Sequence, residues 1–338
     1  MFKIKIPIFY LFLTILVGLG ITLLSFKIAH NSKSNNDKEG LSSTSLGCNS
    51  YKIDRLEDYK YTKPIISAEP EFESARLTPL KEELNRFIEN EEKDSMITSV
   101  SVYVRDFEVG EWMAINDQIT YMPGSMLKVG LMTAWLKMSE NLPGLLDKEQ
   151  AYEIHNGFVF PIEHFQGKEI TIGKKYKIRE CLESMIVNSD NKAAFFLENT
   201  VDSNVFHKLF TDLGIPAPKF HESNYSLSVK DYSNFMKVLF NSGYLAPKES
   251  EYAISLLTRS RFKEGITKEL PDSVVVAHKF GESGTSTLFQ LHETGLVYIG
   301  PRRYLITVMT QGHNWARQSQ IISRISKLTY DNMVGVKN

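Results

Sequence analysis

Tyr121-Met-Pro-Gly-Ser-Met-Leu-Lys-Val-Gly-Leu-Met-Thr-Ala-Trp-Leu136 decides how the rest of this chain is read. Pro123-Gly124 breaks whatever precedes it, and the apolar run that follows is long enough for a buried helix. That reading sets Ser125 at a helix N-terminus, where unpaired backbone N–H groups and the helix dipole favour negative charge. Lys128 stands three residues on, so the hydroxyl and the amine share one helix face. A serine and a lysine held together at a positive helix end suit an activated nucleophile. The spacing alone carries little, since Ser189…Lys192 and Ser260…Lys263 repeat it. Only Ser125 opens a long apolar helix after Pro-Gly.

Composition narrows the classes. The 338 residues carry a formal net charge of −1 and an apolar content of 42%, ordinary for a globular protein of one large or two small domains. There is no basic stripe with interleaved aromatics, so nucleic acid is not an expected partner. Cys48 and Cys181 are too few for a disulfide framework and are not spaced as a metal site. His221-Glu222 and His292-Glu293 lack the second histidine of a zinc-protease helix, so no metal or other cofactor is expected.

Outward from the central stretch, the chain divides into three. Ile6 to Phe26 is an uncharged apolar run of about 20 residues, enough to span a bilayer, with Lys3 and Lys5 before it and Lys27 after. No small-x-small cleavage site closes it. Residues 1–30 are therefore expected to be a membrane anchor or signal segment, with the anchor preferred and the N-terminus inside. Residues 31–76 read as a flexible linker rich in Ser, Asn, Lys and Gly, extended or partly ordered over Tyr51 to Glu73. Residues 77–338 read as the folded domain. Leu80, Leu84, Phe87 and Ile88 recur at helical spacing, with Thr78 as the expected cap and Pro79 in the first turn. Ser99–Arg105 and Glu111–Asn116 alternate as a hairpin. Helices dominate from about 121 to 270: Ser125–Ser139, Ile178–Asn188 continuing through Leu197, Asn204–Leu213 and Val229–Ser242. Strands return at Ser273–Lys279, Gly295–Ile299 and Tyr304–Thr310, followed by a helix from Ala316 to Tyr330. The expected fold class is α+β: an antiparallel sheet from about 97–118 and 272–311, flanked by helices, with a large helical subdomain between.

Two further stretches stand beside Ser125 and Lys128. Met185-Ile-Val-Asn-Ser-Asp-Asn191 stops one apolar helix and starts another, and a turn capped by Asp190 or Asn191 accounts for it as well as chemistry does. Val274-Val-Val-Ala-His-Lys-Phe-Gly-Glu282 reads equally as a buried strand leaving the core at a charged end. Their order changes the weight of each: Ser-x-x-Lys, then Ser-Asp-Asn, then Lys-x-Gly at a strand end. In that order, and with Arg179-Glu-Cys-Leu and Gln290-Leu-His-Glu-Thr-Gly-Leu-Val-Tyr around them, the chain from about Thr78 onward resembles the class A β-lactamases and penicillin-binding proteins of the β-lactamase/transpeptidase-like fold.

The resemblance implies roles. Ser125 would be the nucleophile that forms an acyl-enzyme, and Lys128 the base or proton relay for acylation. Ser189 would pass a proton to the leaving nitrogen, and Asn191 would hold a substrate amide. Lys279 would supply positive charge for a substrate carboxylate and for Ser189. Gly281 and Glu282 would lie along the substrate, with the backbone N–H groups of Ser125 and Glu282 forming the oxyanion hole. Two departures stand out. Phe280 replaces the Thr or Ser whose hydroxyl contacts a substrate carboxylate in the family, leaving Ser283, Thr285 or Ser286 as substitutes. The stretch from Ile215 to Ser226 is short, and Glu222 is its only carboxylate; with Asn224 only two residues away the family's spacing is not met, so Glu222 reads as a solvated loop acid, with activation of a deacylating water as the alternative. The family's disulfide is unmatched, since Met132 stands where a partner for Cys181 would. The expected protein is an anchored, single-pass enzyme of the cell membrane with its catalytic domain outside the cytoplasm. It would open a β-lactam or related cell-wall amide. The alternatives are a penicillin-binding carboxypeptidase or esterase with slow deacylation, or a non-catalytic envelope binding module.

Overall fold

The computed structural model describes residues 50–57, 59–151, 164–165, 167–219 and 224–335. Ile6–Phe26 and Glu222 lie outside them; among the described residues no helix is long and apolar enough to cross a membrane.

The strands are β1 (Tyr51–Arg55), β2 (Ile65–Pro70), β3 (Ile97–Asp106), β4 (Trp112–Ile115), β5 (Thr120–Tyr121), β6 (Glu149–Ala151), β7 (Lys175–Lys177), β8 (Leu227–Ser228), β9 (Val275–Gly284), β10 (Phe289–Ile299) and β11 (Arg302–Gly312). The helices are α1 (Thr78–Glu91), α2 (Lys128–Asn141), α3 (Ile178–Val187), α4 (Asn191–Thr200), α5 (Ser203–Asp212), α6 (Val229–Phe240), α7 (Pro247–Leu257) and α8 (Trp315–Gly335). Strands β4-β3-β11-β10-β9 form one antiparallel sheet in that order, with β9 at an edge.

Both faces of this sheet are covered, and the two-residue period of the strands sorts side chains between them. Tyr103, Ala277, Leu296, Leu305 and Met309 enter the core shared with α2 to α7. Val102, Val104, Val276, Phe280, Val297, Ile306 and Val308 enter a second core with Leu80, Leu84 and Ile88 of α1 and Ile321, Ile322 and Ile325 of α8. Each such aliphatic side chain contributes about 1.5–3 kcal/mol on burial. Helix α2 lies within the helical layer and buries residues on every side from Lys128 to Leu136, as an apolar run without a polar face should.

Several elements differ from the sequence reading. Ser125 opens no α-helix: it lies in a 3-10 turn, Gly124–Leu127, and α2 begins at Lys128. Thr78 is the first residue of α1 rather than its cap; Leu77 holds the cap position, and Ser74 caps the short 3-10 turn before it. Strand β10 starts at Phe289, because Phe289–Thr294 pairs along β9 and β11 at positions that carry polar residues. The segment read as linker holds the β1–β2 hairpin. Glu69 docks it: the carboxylate accepts from Arg105 Nη1 (2.7 Å), Lys237 Nζ (3.1 Å) and the Tyr103 hydroxyl, while Trp112 Nε1 donates to the Pro70 carbonyl over 2.7 Å. These partners lie 34 or more residues away, so local composition could not show the docking.

Candidate active site

The Ser125 turn is fixed by steric closeness to β9. Gly124 has φ of 53°, and a Cβ there would meet the Glu282 carbonyl oxygen at 2.0 Å. A Cβ on Gly281 would meet the Pro123 carbonyl oxygen at 2.3 Å and the Met126 nitrogen at 2.8 Å. Two glycines, one on each segment, let the Ser125 turn and the edge strand touch backbone to backbone. Hydrogen bonds hold the entry to the turn. Met122 N donates to Gln290 Oε1 (2.9 Å), the Met122 carbonyl accepts from the Ser283 hydroxyl (2.5 Å) and from His292 Nε2 (3.2 Å), and Tyr232 donates to the Met126 carbonyl (2.8 Å). Burial pushes His292 down to about 3, so its ring is a neutral donor. Ser125 is 7% exposed and Lys128 6%.

The Ser189–Asn191 stretch sits between two helices. Helix α3 ends at Val187, and Ser189 takes φ of 57°, a left-handed conformation that costs a non-glycine residue about 1 kcal/mol. Asp190 then caps α4 by accepting from Lys192 N (2.8 Å) and Ala193 N (3.0 Å), and its other oxygen accepts from Ile170 N (2.6 Å) and the Ser184 hydroxyl (2.7 Å). The sequence reading saw Asp190 as an ordinary cap. It is that and more, because the buried carboxylate ties three segments together at the residue that orients Ser189 and Asn191.

Two lysines converge on this stretch. Lys128 Nζ donates to the Ser189 carbonyl (2.6 Å) and Asn191 Oδ1 (2.7 Å), and lies 3.3 Å from Ser189 Oγ. Lys279 Nζ donates to Ser189 Oγ (2.9 Å) and the Phe280 carbonyl (2.8 Å). Lys279 is fully buried; strand alternation directs it to the helical layer.

Phe280 belongs to the second core, and its ring lies against the Lys279 ammonium, with Nζ 4.2 Å from the ring centroid. Its ring stacks on Phe262 with centroids 4.2 Å apart and meets Phe165 edge-on at 6.2 Å, within the core beneath α1 and α8. Of the substitute hydroxyls, Ser283 is committed to the Met122 carbonyl and Thr285 accepts from Leu288 N (3.1 Å). The Glu282 carboxylate, for which the sequence reading had no role, accepts from the backbone N–H groups of His164 (2.7 Å) and Phe165 (2.8 Å). Among the described residues, no cluster of three or more His, Cys, Asp or Glu could hold a metal.

Thus Lys128, Ser189, Asn191 and Lys279 form one hydrogen-bonded group, with Ser125 one turn before Lys128 and Gly281-Glu282 against Gly124. The supporting roles of Gly124, Gln290 and His292 were missed, and of Asp190 only the capping role, shared with Asn191 as an alternative, was foreseen. The Pro123-Gly124 break and the polar junction at Asp190 were the sequence signals for them.

Comparison with known proteins agrees with this architecture. The sequence profile of the β-lactamase enzyme family matches residues 79–333. No curated protein sequence matches. Solved structures similar to this one include PBP-A as an acyl-enzyme complex with penicillin G (17% identity, 77% of this chain and 98% of that one, TM-score 0.64). A β-lactamase from Chitinophaga pinensis is 20% identical, over 76% of this chain and all of its own, with a TM-score of 0.64. The extended-spectrum β-lactamase TLA-1 is 20% identical over 75% of this chain and 99% of its own, with a TM-score of 0.63. At such identities the structures speak for the fold, and the profile match over most of the chain speaks for the lineage: this protein belongs to the β-lactamase enzyme family.

Proposed function

We propose that this protein is a serine hydrolase in which Ser125 attacks a β-lactam or a related cell-wall amide and becomes acylated. The observation that carries this reading is the convergence on Ser189 Oγ of Lys279 and of Lys128, which stands one turn after Ser125. A neutral Lys128 has two N–H bonds, and the Ser189 carbonyl and Asn191 Oδ1 are suited to receive them, so its lone pair serves as the base. The proton of Ser125 passes to Lys128 as Oγ bonds the carbonyl carbon. The oxyanion is held by the N–H groups of Ser125 and Glu282. As the C–N bond breaks, Ser189 gives its proton to the leaving nitrogen and is reprotonated from Lys128. Lys279 keeps Ser189 oriented, Asn191 holds the acyl side chain, and Gly281 brings the strand into contact.

The reading includes slow release of the acyl group. Within the described site the carboxylates are Asp190 and Glu282, and both accept from backbone N–H groups, which suits an anchor better than a base for water. Glu222 is the remaining candidate for that role. The reading further places the domain outside the cytoplasm on a single anchor at Ile6–Phe26, supported by the apolar run and its flanking lysines.

Incubation of the protein with a penicillin, followed by intact mass over time beside Ser125→Ala, tests the chemistry. A persistent adduct absent from the variant is expected. A transient adduct with consumption of penicillin would overturn slow release, and no adduct would overturn acylation. Protease accessibility of the domain in intact cells against permeabilised ones tests the location.

A further inference from the structure

The Glu282 carboxylate takes two successive backbone N–H groups, one on each oxygen: His164 N donates to Oε2 over 2.7 Å and Phe165 N to Oε1 over 2.8 Å. Hydrogen bonds to an ionised acceptor are roughly twice as strong as neutral ones, so this is a firm hold. Aromatic packing adds to it. The Phe165 ring meets Phe262 edge-on at 5.0 Å and Phe280 at 6.2 Å, and His164 stacks on Trp315 with centroids 5.5 Å apart.

The same stretch of chain is fixed, a few residues on, to the Ser189 junction. Gly167 lies so close to the end of α3 that a Cβ there would meet the Asn188 carbonyl oxygen at 2.0 Å. Glu169 pairs with Lys192 of α4 over 2.7 Å, and Ile170 N donates to the Asp190 carboxylate over 2.6 Å. One short stretch therefore ties Glu282 on β9 to the residues on either side of Ser189, with a carboxylate gripping backbone N–H groups at each end. Strand β9 lies at the sheet edge, where among the described residues no further strand pairs with it. The bridge supplies on that side a backbone restraint of the kind that a neighbouring strand would give.

We propose that the Glu282 side chain is a positioning residue for acylation: through His164, Phe165 and Gly167 it fixes the distance between its own backbone N–H and the Ser189 hydroxyl. The inference rests on the reading above, in which that N–H receives the oxyanion while Ser189 protonates the leaving nitrogen. Both groups act on one substrate in one step, and a misplacement of about 1 Å costs on the order of 100-fold in rate.

The test follows acylation of the full chain by penicillin G, by intact mass after rapid quenching, across penicillin concentrations. Glu282→Ala is expected to lower the limiting rate by about 10- to 100-fold and to move the half-saturating concentration far less. Glu282→Gln keeps one acceptor oxygen and should fall between Ala and wild type. Gly167→Ala, which displaces the other end of the bridge, should slow the limiting rate as well. The double variant should be no slower than the slower single one, because both changes break the same bridge. A clamp that merely stabilises the fold would lower the unfolding midpoint and leave the limiting rate of the folded protein at the wild-type value. That result, a faster Glu282→Ala, or losses that multiply in the double variant overturns the proposal. A folded wild type that penicillin does not label overturns the assignment of Ser125 as nucleophile, and this inference with it.

Discussion

The Lys279 ammonium donates to the Ser189 hydroxyl over 2.9 Å, and this bond joins an edge strand to a helix junction 90 residues earlier. With its oxygen accepting from Lys279, Ser189 has its own proton to give. Ser189→Ala should leave the fold intact, cost about 1–2 kcal/mol through an unpaired lysine donor, and slow acylation by about 100-fold. Adduct formation by mass and the unfolding midpoint in denaturant check both halves.

The glycines that admit β9 to the Ser125 turn tolerate no side chain. Gly281→Ala sets a methyl 2.3 Å from the Pro123 carbonyl oxygen, so the strand must retreat from the Ser125 turn. A loss of about 2–3 kcal/mol is expected, with acylation falling by at least about 100-fold as the oxyanion donor moves. Denaturant unfolding and acylation rates, measured on the same preparation, give the two values.

Acid stability should be lost in two steps. Burial holds His292 at about 3, whereas the unfolded chain takes up that proton near pH ~6.5. Stability is thus whole above that value and falls as the pH drops below it. Burial tends to raise Glu69, but Lys237, Tyr103 and Arg105 outweigh it and lower the carboxyl. Its contribution is present above the ordinary carboxylate value of about 4.3 and is lost as the pH falls through the lower folded one. His292→Gln should flatten the upper step and Glu69→Gln the lower, read from calorimetric midpoints across pH.

Glu69 has a larger role at neutral pH. Glu69→Gln leaves buried Arg105 and Lys237 without a counter-charge and should cost about 3–5 kcal/mol, loosening the β1–β2 hairpin. Limited proteolysis should then cut between Tyr51 and Pro70 before the rest of the domain.

Cys181 is buried, and burial pushes its thiol up to about 12. In a Cys48→Ser background, iodoacetamide at pH ~8 should leave the native protein unlabelled and label it once unfolded.

Local rules made much of this protein legible. The i, i+3 spacing set Ser125 and Lys128 on one face whether the turn was α or 3-10. The Pro-Gly break, the polar Ser189–Asn191 junction and the final strand pair are likewise properties of neighbouring residues, as are the periodic apolar positions of α1 and α6. What required the tertiary structure was every relationship between distant segments. Phe280 is a substitution in the sequence, but only packing shows it turned into the second core. Asp190 is a cap in the sequence, but its bond to Ile170 N spans 20 residues. Gly124 and Gly281 are unremarkable apart, and meaningful only because their backbones touch. Glu69 meets Tyr103, Arg105 and Lys237, and Gln290 and His292 meet Met122, across 34 to 170 residues, where no periodicity reaches. Spacing along the chain fixes which face a side chain takes; which group waits on the other side is fixed by how the layers close.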